Sequence, residues 1–269
     1  MNFKYYFPAL VLTGVFLLSS CEHHSDPSDP DNPSTRHISR PDSVYVYDAA
    51  YHDTITPHFI DHYQYDANGN RLSRLSYYVE KQQYTAKEER TYDSRNNLLE
   101  IRNYSYDETL KEWDCWRTDR QTYDSNGKLA THETEHKGGN DKKKALYSWL
   151  DNTHATTDVY AYHYMGDTTE WKLVDKAEYI YNADGNITYE KYIFSYYTSE
   201  SARDKPIEYF LEYDRCGNCS SYKDVSYGKL WQYDTYAYSY DSDGNILVKR
   251  TYSNLSGEPV LQTKEVYFY

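Results

Sequence analysis

The strongest chemical motif in the chain is His132-Glu133-Thr134-Glu135-His136, which has the His-Glu-x-x-His spacing of zinc peptidases. That chemistry needs a helix, where residues four apart share a face and both imidazoles reach a metal within about 2.1 Å. Here the motif follows the Asn126-Gly127 turn, in a stretch whose counterparts elsewhere in the chain alternate with a period of two. Residues four apart on a strand stand about 13 Å from one another. A zinc metallopeptidase built on His132, Glu133 and His136 therefore stays only an alternative. No catalytic residue, metal or cofactor is assigned, and the chain is not expected to be an enzyme.

Other residue types invite the same weighing. Asp241-Ser242-Asp243-Gly244-Asn245 and its relatives look like pieces of calcium loops. Calcium takes six to eight oxygens, and an EF-hand closes its loop with a Glu at the twelfth position. Tyr252 stands there instead, and turn formation already accounts for Asp, Asn and Gly. Cys216 and Cys219 form a Cys-x-x-Cys pair with no second pair to complete a metal site. A local disulfide between them and two packed thiols both remain open. Trp113, Trp116, Trp171 and Trp231 are the candidate ligand-binding residues, as a stacking strip for a glycan or an adhesive face for a protein. Packing of one unit on the next is the competing explanation, because they recur with the period of the chain.

That period rests on one phrase, an aromatic alternating strand followed by Tyr-Asp or Tyr-Asn and a turn on Gly or Asn. It occurs at Tyr65-Asp66, Tyr92-Asp93, Tyr123-Asp124, Tyr181-Asn182, Tyr213-Asp214 and Tyr240-Asp241. Leu150-Asp151-Asn152 fills the one gap as a worn copy, and Tyr269 stands where the next phrase would begin. In Asp66-Ala67-Asn68-Gly69-Asn70 the Asp suits the first position of a type I turn, and Gly takes the left-handed position that makes a bulge. Such a turn pairs the tyrosine with the residue six later. Those partners are Arg71, Leu98, Leu129, Ile187, Cys219 and Ile246. Tyr236-x-Tyr238-x-Tyr240 and its counterparts alternate strictly, which is the mark of strands. The sequence thus predicts an all-β fold of about sixteen short strands, with tandem antiparallel β-hairpin repeats stacked into an extended or rolled sheet.

The amino terminus points to the cell envelope. Lys4, the apolar run from Pro8 to Leu18 and Leu18-Ser19-Ser20-Cys21 have the order of a signal peptide. They resemble the lipobox of bacterial lipoproteins, which implies removal of residues 1–20 and lipidation of Cys21. Residues 21–41 read as a lipidated Cys and a disordered linker rich in Pro, Asp and Ser, and residues 42–269 as the repeat domain. The acidic residues after Cys21 resemble signals that send Gram-negative lipoproteins to the outer leaflet. The chain is expected to be lipid-anchored to the outer membrane and surface-exposed, with the membrane as partner through Cys21. A net charge of −13 argues against nucleic acid. The 35 tyrosines bury large apolar bodies while their hydroxyls still reach polar partners, so they can stand in for an aliphatic core.

The phrase Tyr-Asp-x-x-Gly-Asn-x-(Leu/Ile) resembles the YD/RHS-type repeats of bacterial cell-surface and secreted proteins. The resemblance covers most of residues 43–269. The period here is longer, and Asn or Lys follows the Gly where that family commonly has Arg. It implies antiparallel sheets that wind into spirals or shells, with glycan- or protein-binding roles. By that comparison the repeats here are too few to enclose a large chamber. The expected function is non-catalytic binding of a glycan or partner protein at the cell surface, with a structural role in the envelope as the other reading.

Overall fold

The computed structural model describes residues 40–49, 56–138, 142–162, 171–194 and 206–269. Sixteen antiparallel strands follow one another in chain order. The first eight are β1 (Ser43–Asp48), β2 (Phe59–Tyr65), β3 (Arg71–Tyr78), β4 (Gln83–Tyr92), β5 (Leu98–Asp107), β6 (Glu112–Tyr123), β7 (Leu129–His136) and β8 (Lys142–Trp149). Then come β9 (His154–Tyr162), β10 (Trp171–Tyr181), β11 (Ile187–Phe194), β12 (Ile207–Tyr213), β13 (Cys219–Ser226), β14 (Lys229–Tyr240), β15 (Ile246–Ser253) and β16 (Val260–Phe268).

The repeat turns form as the sequence requires. In the first, the Gly69 amide donates to the Asp66 carbonyl (3.0 Å) and the Asp66 amide to the Asn70 carbonyl (2.9 Å). Asp66 Oδ1 accepts from the amides of Asn68 and Asn70, and Oδ2 accepts from the Asn70 side chain. The same set recurs around Asp93, where Asn96 stands in the glycine position at φ 64°. All six tyrosine partners pair as expected, from Tyr65↔Arg71 to Tyr240↔Ile246, each at a register shift.

Two expectations are corrected. The worn copy sits one residue earlier than Leu150: Trp149 occupies the tyrosine slot and pairs with Ala155, six residues on. The Leu150 amide donates to the His154 carbonyl, as the Asp66 amide does to Asn70. The second correction concerns the sheet, which is a closed barrel and not an open stack. β16 pairs with β15 on one side and with β1 on the other, from Ser43↔Phe268 to Asp48↔Thr263. Closure removes both sheet edges, with their unpaired amides and carbonyls. Sixteen strands closed in this way give the wall an interior and an exterior face.

The two faces of the wall differ. Val44, Asp61, Ser76, Glu88, Asp119, Gln121, Ala155, Thr157, Ala177, Tyr179 and Tyr209 are buried. Paired registers put them on one face, together with the phrase tyrosines. This concave face lines the interior. Ala155 and Ala177 are small enough that rings from separate strands close over them, Tyr147 meeting Tyr179 (6.0 Å) and Trp149 meeting Tyr181 (5.0 Å).

Candidate functional site

At the turn rim, where the phrases bend, the lead carboxylates serve the turns themselves. Both carboxylate oxygens of Asp66 and of Asp93 are held within their own turns. These bonds lower both carboxyl pKa values. Among the described residues no group of three His, Cys, Asp or Glu side chains could hold a metal.

The His-Glu-x-x-His motif lies on β7, a strand. His132 faces the interior and lies 3.2 Å from Asp119 Oδ1. Glu133 faces outward, 2.6 Å from Lys144 Nζ. Histidine and glutamate are thus on opposite sides of the wall, and the peptidase alternative has no geometry to work with. Asp119 is instead the centre of a buried cluster that also holds Arg117 (2.8 Å) and Thr134 (2.7 Å). Burial alone would raise its carboxyl pKa, but hydrogen bonds from His132, Arg117 and Thr134 and the Arg117 charge lower it to about 2.

Cys216 and Cys219 are free thiols. Cys216 belongs to the turn, whereas Cys219 is paired with Tyr213 and donates to the Ser221 carbonyl. Burial pushes the Cys219 thiol up to about 11. Cys21 and residues 1–39 lie outside the described residues.

The four tryptophans lie toward the other rim, near the amino-terminal ends of β6, β10 and β14, with three strands between each of these and the next. Trp113 packs edge-on against Tyr106 (5.3 Å), with Lys87 Nζ 5.7 Å from its ring centre. Trp116 and Trp231 are each the extra residue of a bulge. Trp116, Trp171 and Trp231 are 40%, 44% and 60% exposed. Three further apolar residues unmarked by the repeat are exposed on this rim: Tyr227, Tyr84 and the hairpin tip Leu110. Tyr227 holds φ at 56°, a strained conformation for a ring-bearing residue, in a two-residue hairpin turn with Gly228. Beside Trp116 a notch of about 150 Å³ is lined by Cys115, Arg117, Thr118, Glu135, His136 and Lys137. The His136 ring lies 5.8 Å from the Trp116 ring.

The outward face between the rims carries ion pairs. Arg120 bridges Glu100 (3.1 Å) and Glu135 (3.2 Å), and Lys142 meets Glu135 (2.7 Å). Lys176 meets Asp158 at 3.0 Å. These groups keep more water contact than the interior ones: Arg120 and Lys176 side chains are 49% and 55% exposed, against 13% for Arg117.

No protein-family model and no curated protein matches the chain. Among solved structures, a porin-like protein from Bacteroides vulgatus ATCC 8482 is similar at a TM-score of 0.42 and 8% identity, over 86% of this chain and 99% of that one. A porin-like protein from Bacteroides uniformis ATCC 8492 gives 0.31 and 10%, over 87% and 98%. A DUF3836 family protein from Bacteroides vulgatus ATCC 8482 gives 0.24 and 18%, over 44% and 91%. At such scores the architecture rests on the strand pairing itself.

Proposed function

We propose that the protein is a non-catalytic, glycan-binding component of the cell envelope, lipid-anchored through Cys21 and facing the cell exterior. The observation that carries the reading is the exposed Trp116 ring beside a notch of polar side chains. Sugar rings stack their C–H faces on indoles, and Glu135, His136 and Lys137 beside the ring are polar groups that can fix orientation. Trp171 and Trp231 expose rings at separate points of the same rim, four and eight strands away from Trp116.

The ion-paired outer wall bears on where the barrel sits. A bilayer-spanning barrel presents an apolar band about 25 Å tall, and a lysine or arginine at mid-depth costs roughly 2–4 kcal/mol. Arg120, Lys142, Lys144 and Lys176 stand on the outer face here, so the wall suits water, which supports attachment through a lipid on Cys21. A purely structural role in the envelope is the second reading. It is favoured by the inward tyrosines, whose hydroxyls are largely consumed by the wall.

A glycan array probed with the purified protein tests the proposal. Binding is expected, and Trp116→Ala should remove most of it while leaving the β-sheet circular dichroism unchanged. Equal binding by wild type and Trp116→Ala would reject the site, and binding only to a protein array would reject the ligand class. A palmitate label that survives Cys21→Ala would remove the anchor.

A further inference from the structure

We propose that the barrel interior contains an oxyanion site centred on Arg74, separate from the tryptophan rim and on the other face of the wall. Three guanidinium groups, Arg71 and Arg74 on β3 and Arg90 on β4, meet only two carboxylates, Asp61 and Glu88. Glu88 Oε1 is shared by Arg71 and Arg90, at 2.7 Å from each. Asp61 is engaged by the Ser76 hydroxyl (2.5 Å) and the Tyr63 hydroxyl (3.4 Å). Arg74 is left with Asp61 Oδ2 at 3.8 Å, beyond hydrogen-bond reach.

The donors confirm the imbalance. The Nε atoms of both Arg71 and Arg74 are buried and have no hydrogen-bond partner among the described residues. A buried guanidinium donor without an acceptor is costly, and burial normally comes with a partner. Yet the Arg74 side chain as a whole is 36% exposed to the interior, so an incoming group can reach it. The cluster carries one excess positive charge in a chain of net charge −13, which makes a local attraction for anions a built feature and not a consequence of composition. The planar fork of arginine matches two oxygens of a carboxylate, sulfate or phosphate. The Tyr63 ring, 5.5 Å from the Arg71 guanidinium carbon, walls one side.

The experiment titrates sodium sulfate, sodium glucuronate and neutral glucose into the full protein at constant ionic strength, read by calorimetry. Saturable binding of sulfate and glucuronate is expected, and none of glucose. Tighter binding of glucuronate would identify the anion as a sugar carboxylate; equal binding would identify the oxyanion alone as what is recognised. Arg74→Gln should weaken both about tenfold, while Trp116→Ala leaves them unchanged and so separates this site from the rim. If Arg74→Gln does not fold, Arg74→Lys keeps the charge without the fork and should still bind several-fold more weakly. Wild-type affinity in the variant that folds, equal binding of glucose, or no saturable binding at all would overturn the site.

Discussion

The Tyr123 hydroxyl donates to the carbonyl of Leu98 at 3.0 Å, across a gap where β5 and β6 have stopped pairing. The last paired residues there are Glu100↔Arg120, two short of Leu98. The arrangement recurs around the rim. Tyr65 reaches Pro41, Tyr92 reaches Arg71, Tyr213 reaches Ile187, Tyr238 reaches Cys219 and Tyr269 reaches Ile246. In the worn copy the Trp149 indole N–H takes over, donating to Leu129 at 2.8 Å. Between β9 and β10 the ladder continues to Ile180↔His154, so no carbonyl is left for Tyr181 to satisfy. Tyr123→Phe should therefore cost about 1 kcal/mol, the lost hydrogen bond plus an unsatisfied carbonyl. Tyr181→Phe should cost much less. Urea unfolding of the two variants checks this, and equal losses would sink the bridging role.

Gly127 isolates the backbone requirement of the turns. Its φ is 80°, and a Cβ built there meets nothing within 4 Å. Gly127→Ala should then destabilise by about 1–2 kcal/mol through the left-handed conformation alone, visible as a lower melting temperature. A neutral result would mean that the turn relaxes out of that conformation.

The turns, the strand number and the tyrosine pairings were legible because each depends on local chemistry: Asp66 caps its own turn, Gly69 takes positive φ, and period-two alternation fixes the faces. Closure was not legible. It depends on how the stagger adds up over sixteen strands, and no single residue of β1 or β16 records that sum. The worn copy was misplaced by one residue because Leu150 aligns with tyrosine by apolarity, whereas the slot requires a ring donor, which Trp149 has. The hydroxyl bridges were hidden for a related reason. The preference for Tyr over Phe at each phrase was plain, but the carbonyl it serves lies in the preceding unit. At the tryptophan rim the ring positions could be read from the period, while the Trp116 notch comes from the pairing of β6 with β7.

Closure makes Tyr47 and Lys264 direct partners across β1 and β16. Paired residues of an antiparallel ladder lie about 4.5–5.5 Å apart at Cα, within disulfide range. Tyr47→Cys with Lys264→Cys should form a cross-link under mild oxidation, detected by mass spectrometry of the digested protein. An open sheet would leave the two ends unlinked.

Tyr227 offers the reverse of the Gly127 test. Its φ of 56° strains a residue with a Cβ, and the turn it forms with Gly228 prefers Gly or Asn at that position. Tyr227→Gly should raise stability by about 1 kcal/mol while removing an exposed ring from the tryptophan rim. A higher melting temperature with glycan binding unchanged would show that the strain is purely conformational, as expected with Trp116 about half the barrel away. Lower stability would show that the ring packs against the rim.

Two interior carboxylates give stability opposite pH dependences. Asp119 is held at about 2 in the fold, below its ordinary value near 3.9. The unfolded chain takes up its proton first as pH falls, so this contribution is present above about pH 4 and is lost toward pH 2. Asp175 is raised by burial to about 6, with Lys143 opposing only in part, and its Oδ1 has no partner among the described residues. Here the folded state binds the proton more readily, so stability rises as pH falls from 7 toward 4. Asp175→Asn should therefore raise the melting temperature at pH 7.5 and leave it nearly unchanged at pH 4. Asp119→Asn should lower it at both. An Asp175→Asn gain of equal size at both pH values would show that the cost of Asp175 does not lie in its charge.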